Sequence, residues 1–259
     1  MPSADILCIG THHKTGTKWL RGALGRISRR CEIPLHYRPS ADDAWVDRIT
    51  QRPALVFSGS AQFPARLRHD PKCHVVRMIR DPRDILISGM RYHMSADDRH
   101  EKFLYRRQDE LGGKSYQEHL NALGTYEERL LFEMDHKHHH TISEIMTRDV
   151  SATSFEQWRY EDLIADEECL LFNAAVDRLD ISDKQKRRAA KIFWRNSLFG
   201  GGAARSVKTH VKSGAARQWQ KLLPPSVAEV YRDKYGNALI ELGYETDKNW
   251  LDKLVGEPV

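Results

Sequence analysis

The segment Gly10-Thr11-His12-His13-Lys14-Thr15-Gly16-Thr17-Lys18 combines an amine, hydroxyls and glycines at close spacing. The apolar run Ile6-Leu7-Cys8-Ile9 precedes it, and Leu20, Leu24 and Ile27 follow at helical spacing. It therefore joins a strand to a helix N-terminus. Backbone N–H groups at such a junction point outward, and the helix dipole favours an anion. Gly16 permits close backbone approach, Thr15 and Thr17 offer hydroxyls, and Lys14 offers a charge. The combination is a phosphate cradle. The Lys precedes the Gly, unlike the G-x-x-x-x-G-K-[ST] loop of nucleoside triphosphatases, and no acid is evidently placed to hold Mg²⁺. A second anion group follows. Arg80 ends the apolar run from His74, and Ser88 falls about two turns into the next helix, for which Asp81 is an N-cap and Pro82 a first residue. An Arg fork and a hydroxyl at that spacing grip a second phosphate.

These groups need a frame. Apolar runs at 6–9, 54–57 (closing on Ser58-Gly59-Ser60), 74–79 and 154–160 read as strands. Helices are expected at 82–92, 166–179, 182–194 and 226–242, the last ending at Gly243. Alternation of this kind predicts an α/β fold with a central parallel sheet and helices on both faces. Residues 95–150 are polar and helix-like, with no strand signal. Gly200-Gly201-Gly202 opens a basic, small-residue stretch to Arg217 that reads as a mobile flap. No repeat or linker divides the chain, so 1–259 is expected to be one domain.

Composition narrows the classes. The chain has 259 residues, 40% hydrophobic and 30% charged, which excludes collagen-like, coiled-coil and wholly disordered readings. A net charge of +5 is too small for a protein that coats nucleic acid, so no nucleic-acid partner is expected. No apolar run approaches the roughly 20 residues of a membrane span. The start, MPSADILCIG, lacks the features of a targeting peptide. Cys8, Cys31, Cys73 and Cys169 form no CxxC pair and read as reduced thiols, and the expected location is cytoplasmic.

Together the motifs resemble the sulfotransferases that use 3′-phosphoadenosine 5′-phosphosulfate (PAPS). Lys14, Thr15, Gly16, Thr17, Lys18 and Trp19 match the K-[ST]-G-T-x-W loop that cradles the 5′-phosphosulfate. Arg80 through Ser88 match the R-[DN]-P-[RK]-D-x-x-x-S motif for the 3′-phosphate without a gap. Arg159-Tyr160-Glu161-Asp162-Leu163 resembles the [RK]-Y-E-D-L segment, whose Tyr helps to hold the adenine. Asn196-Ser197-Leu198-Phe199 resembles the [TN]-S-F segment, with Leu198 interposed. Val211-Lys212-Ser213-Gly214 through Trp219 resembles the R-K-G-x-x-G-x-W flap, with Lys212 and Ser213 where R-K is usual and Arg217 where the second Gly is.

The resemblance implies in-line transfer of a sulfuryl group from PAPS to a hydroxyl or amine acceptor, a carbohydrate or other small polar molecule, releasing adenosine 3′,5′-bisphosphate (PAP). Lys14 would neutralise the oxygen bridging phosphorus and sulfur, Ser88 would read the 3′-phosphate and restrain Lys14, and Trp19 would lie against the adenine. No metal is implied. The usual His is absent after the strand at 54–57, where the sequence is Ser58-Gly59-Ser60-Ala61-Gln62. Carbohydrate-acting branches carry a Glu beyond the first helix, where this chain has Glu32 and His36. Both residue types suit general-base catalysis, and His36 is favoured. Asp84 reads as structural. His136-Lys137-His138-His139-His140 reads as a solvated segment, because adjacent side chains diverge. Scattered arginines such as Arg26, Arg29 and Arg30 read as solvated faces or an anionic-substrate rim. The rival readings are a P-loop small-molecule kinase and a non-catalytic nucleotide-binding module.

Overall fold

The computed structural model describes residues 4–97, 101–200 and 215–255, which group into two compact units. The first holds residues 4–80 and 147–200 and contains the sheet. Its strands are β1 (Ile6–Gly10), β2 (Leu35–Tyr37), β3 (Ala54–Ser58), β4 (Cys73–Ile79) and β5 (Phe155–Arg159). All pair in parallel, in the order β2-β3-β1-β4-β5. Every residue of β1, β3 and β4 is buried, as expected for parallel strands covered on both faces.

Period-two alternation divides their side chains between two layers. Leu7, Ile9, Leu55, Phe57, Val76 and Met78 face helices α1 (Thr17–Cys31), α8 (Leu170–Asp177) and α9 (Asp183–Asn196). There α1 contributes Leu20, Ala23, Leu24, Ile27 and Cys31, and α9 contributes Ala189 and Phe193. Each fully buried Leu or Ile in this layer stabilises the fold by roughly 1.5–3 kcal/mol. Ile6, Cys8, Ala54, Val56, Cys73 and Val75 face the other way, onto Trp45 and Val46 of a 3₁₀ turn (Asp43–Arg48) and Leu67 of the short α2 (Ala65–Arg68). The four cysteines are buried free thiols.

The expected helix at 166–179 is shorter, and a separate α7 (Tyr160–Ala165) precedes it. The break lies at Cys169, whose φ of +56° is left-handed, while the Asp166 carboxylate accepts from Leu171 N at 2.8 Å. Tyr160 accordingly begins a helix instead of ending a strand.

The second unit holds residues 81–97, 101–146 and 215–255 and is helical. Its helix α3 (Pro82–Ser95) starts as expected, with the Asp81 side chain accepting from Arg83 N at 3.0 Å. Helices α4 (Tyr116–Ala122) and α5 (Tyr126–Glu133) both begin with reciprocal capping boxes, Ser115 with Glu118 and Thr125 with Glu128. A π-helical segment (Met134–His138) links α5 to α6 (His139–Thr147). Two more helices, α10 (Trp219–Leu222) and α11 (Pro225–Glu241), complete the unit. Gly243 adopts φ +73° just beyond the last, a left-handed stop suited to glycine.

Arg83 is 1% exposed and forms the polar centre of this unit. It pairs with Asp81 at 2.8 Å and Glu245 at 2.7 Å, and lies 3.5 Å over the ring of Trp219 and 4.7 Å over that of Trp250. The Asp84 carboxylate accepts from Trp219 N at 3.0 Å, which ties the start of α3 to the start of α10. The imidazoles of the His-rich segment take separate partners. His136 meets the Phe132 carbonyl, His138 the Tyr231 hydroxyl and His139 the Tyr235 hydroxyl. His138 is also buried, which pushes its pKa down to about 3.

Candidate active site

The loop leaving β1 is folded by its own threonines. Thr15 Oγ1 accepts from His12 N at 2.8 Å and donates to the His12 carbonyl at 3.0 Å. Thr17 Oγ1 donates to the same carbonyl at 2.8 Å and meets Thr11 Oγ1 at 2.9 Å. Thr11 N donates to the Ser58 carbonyl at 2.9 Å, which ties the loop to the end of β3. Two residues are left-handed, Lys14 at φ +63° and Gly16 at φ +100°. Lys14 has a Cβ and carries strain there, so the surrounding bonds must hold it. At Gly16 a Cβ would approach Met78 Cε to 2.7 Å and Tyr160 Cδ2 to 3.4 Å.

Gly16 is the N-cap of α1, which has no side-chain cap and no acid in its first turn. The positive end of the dipole at this start favours an anion, with no acid of the first turn opposing it. Lys14 is half-buried beside it and Lys18 is exposed on the first turn.

Arg80 is buried, and its guanidinium donates to the Lys14 carbonyl at 3.2 Å. Its other side lies over the Tyr160 ring at 4.5 Å. Tyr160 in turn meets Trp19 edge-to-face at 6.4 Å, and Trp19 packs at 5.5 Å on Phe193. Residues widely separated in sequence thereby meet at the C-terminal ends of β1, β4 and β5. Lys14, Thr15, Gly16, Thr17, Lys18, Trp19, Arg80 and Tyr160 form one group. Met78 and Phe193, which back Gly16 and Trp19, were not singled out in sequence, because each reads there as an ordinary core residue.

The other expected site residues are distributed differently. Ser197 is buried and caps the end of α9, its hydroxyl donating to the Trp194 carbonyl at 2.7 Å and accepting from Phe199 N at 3.2 Å. Phe199 is exposed. Ser88 lies half-buried on α3, in the second unit. Lys212, Ser213 and Gly214, with most of the expected flap, fall outside the described residues.

His36 is on the edge strand β2, with β3 between it and β1. Its register partner is Val56, itself level with Cys8, so it stands two residues short of the level of Gly10. Its ring lies edge-to-face on Trp45 at 6.1 Å, and burial lowers its pKa. Glu32 is the left-handed C-cap of α1. Neither joins the Lys14–Arg80–Tyr160 group. The loop after β3 does adjoin it: a Cβ on Gly59 would lie 3.6 Å from Thr17 Cγ2.

No family model matches the sequence, and no curated protein does. Solved structures resemble the fold. Retinol dehydratase in complex with androsterone and inactive cofactor PAP is 12% identical, with a TM-score of 0.50 over 90% of this chain and 80% of that one. A mouse sulfotransferase, SULT7A1, complexed with PAP is 13% identical, with a TM-score of 0.49 over 97% of this chain and 89% of that one. Retinol dehydratase with retinol and PAP gives 14% and 0.47, over 92% and 82%. At these identities the likeness is one of fold: the α/β architecture expected from the resemblance to PAPS-dependent sulfotransferases is present. No described helix is long and apolar enough to cross a membrane.

Proposed function

We propose that the chain, acting as one sulfotransferase-like domain, moves a sulfuryl group from PAPS to a hydroxyl or amine acceptor, a carbohydrate or other small polar molecule. The observation that carries this reading is the union of the two anion motifs, with Arg80 bonded to the Lys14 carbonyl and laid over Tyr160. The donor set suits the nucleotide. The start of α1 with Thr15, Thr17 and Lys18 receives the 5′-phosphosulfate. Arg80 and Ser88, with Lys212, Ser213 and Gly214, receive the 3′-phosphate. Trp19, Tyr160, Ser197 and Phe199 bound the adenine side.

In the reaction the bond from sulfur to the bridging oxygen breaks as the acceptor oxygen bonds to sulfur. Lys14 stabilises the charge that collects on the departing oxygen, and the work is positional and electrostatic. The acceptor proton passes to a base. His36 takes that role in the proposal because burial keeps its imidazole neutral, with Glu32 as the reserve. If so, turnover holds through the ordinary histidine range near pH 6.5 and declines only below it, as the lowered pKa requires. His36→Gln should then cost at least about 10²-fold in turnover. Normal turnover across that range in the variant would remove His36.

The decisive experiment is thermal stability with PAP, AMP and ATP, followed by an acceptor screen with labelled PAPS. Expected is stabilisation by PAP, about 2.7 kcal/mol at a hundred times its Kd, and much less by AMP. Equal responses to AMP and PAP would remove the second-phosphate site. A response to ATP with phosphoryl transfer would favour a P-loop small-molecule kinase. PAP binding without turnover on any acceptor would leave a non-catalytic nucleotide-binding module.

A further inference from the structure

The cations of the first unit are concentrated on two neighbouring helices. Helix α1 carries Lys18, Arg21, Arg26, Arg29 and Arg30 and no acid, and α9 carries Lys184, Lys186, Arg187, Arg188, Lys191 and Arg195 against Asp183 alone. Their net charge is +10, in a chain whose total is +5, so the remainder sums to −5. Both helices bury their apolar stripes in the same layer on the sheet. They run antiparallel, with Cys31 bonded to Gln185 at one end and Trp19 packed on Phe193 at the other. Arg26 donates to Asn196 across the pair. Arg21, Arg29 and Arg30 are exposed on α1, and Lys184, Arg187, Arg188, Lys191 and Arg195 on α9. The result is a basic surface about 20 Å long and two helices wide.

One large apolar side chain lies within it. Arg187, Lys191 and Trp194 follow one another at i, i+4 and i+7, so they share a stripe of α9. Trp194 is 42% exposed, and Leu198 just beyond the helix is 41% exposed. An indole and a leucine among lysines and arginines suit a water–lipid boundary, where the ring enters the headgroup region and the cations meet anionic lipid. The array spreads over two helices instead of forming a single file along a groove, so it matches a plane better than a thread.

We propose that the α1–α9 face docks the protein on membranes rich in anionic phospholipid, without spanning them. The inference is tested independently of the proposed sulfuryl transfer, because Arg187, Arg188, Lys191 and Trp194 lie outside the proposed nucleotide site. The test is co-sedimentation of the full chain with vesicles of phosphatidylcholine alone and of phosphatidylcholine with phosphatidylglycerol, at low and high salt. Binding should need the anionic lipid, fall steeply with salt, and shift Trp fluorescence to the blue. The triple variant Arg187→Glu, Arg188→Glu, Lys191→Glu should lose at least about 30-fold in partitioning. Trp194→Ala should lose a smaller, salt-resistant part, about 5-fold. Circular dichroism and melting temperature verify that the exposed substitutions leave the fold intact; should the triple variant unfold, Arg187→Gln with Lys191→Gln reads the same loss more mildly. No binding to anionic vesicles at low salt, or undiminished binding by the folded variants, overturns the proposal. So does tight, charge-dependent binding to heparin or duplex DNA with none to vesicles, which would assign the face to a soluble polyanion.

Discussion

Helices α1 and α9 lie side by side on one face of the sheet and begin in opposite ways. At the start of α9, Ser182 accepts from Gln185 N and the Gln185 side chain returns to Ser182 N. This capping box satisfies the helix from within its own sequence. At the start of α1, a left-handed glycine stands where a capping side chain would be, and lysine takes the place of an acid in the first turn. By the ordinary rules α1 is the poorer helix start. In the proposed reading its N–H groups and dipole meet the bound nucleotide, so the difference teaches where a helix start would draw its stability from a ligand and not from its own sequence.

The largest effect that would sharpen this contrast is at Lys14. Lys14→Ala should lower turnover about 10²–10³-fold while PAP affinity changes far less, because the charge matters most as the leaving group develops. Unchanged turnover at saturating PAPS would remove Lys14 from the chemistry. Next, Gly16→Ala should destabilise the protein by about 1–3 kcal/mol, through its positive φ and the approach to Met78, and abolish stabilisation by PAP. A variant with normal stability and normal PAP response would refute the cradle. At the other helix, Ser182→Ala should cost about 1 kcal/mol in denaturant unfolding and leave PAP affinity untouched. The smallest effect inverts the sign: Lys18→Glu should stabilise the PAP-free protein by about 0.3–1 kcal/mol, since an acid suits the dipole, and weaken PAP binding. If it left PAP binding unchanged, the first turn of α1 would not face an anion.

Much of this was legible in the residues. The strand–loop–helix at Ile6–Cys31 announces itself by an apolar run, a glycine and a helical period, and Asp81-Pro82 announces α3. The sequence offers the hydroxyls of Thr15 and Thr17 to an anion, whereas in the structure both donate to the His12 carbonyl, by the habit of hydroxyls to satisfy nearby backbone. The capping boxes at Ser115, Thr125 and Ser182 carry a readable signal, a hydroxyl followed three residues on by Glu or Gln. Other features were hidden for physical reasons. The stop at Cys169 puts a non-glycine residue in the left-handed region, which propensity assigns elsewhere. Strand β2 is open to reading as a short strand ending near His36, but at three residues after a proline it is too short for a period-two pattern to fix. The stacking of Arg80 on Tyr160 joins residues eighty apart, and only the pairing of β4 with β5 brings them together. The gathering of scattered arginines into one face needed the antiparallel packing of α1 on α9, which neither helix shows alone.

The buried Arg83 bears on how the chain is made. Its charge is compensated by Asp81 close by and by Glu245 near the other end, under the indoles of Trp219 and Trp250. At ribosomal rates of roughly 5–20 residues per second, α3 emerges many seconds before Glu245 and Trp250 exist. Until then the Arg83–Asp81 pair lacks the Glu245 carboxylate and the two indoles that enclose it, so the start of α3 stays hydrated while the nascent chain grows. The second unit therefore closes around Arg83 only once Glu245 and Trp250 have left the ribosome.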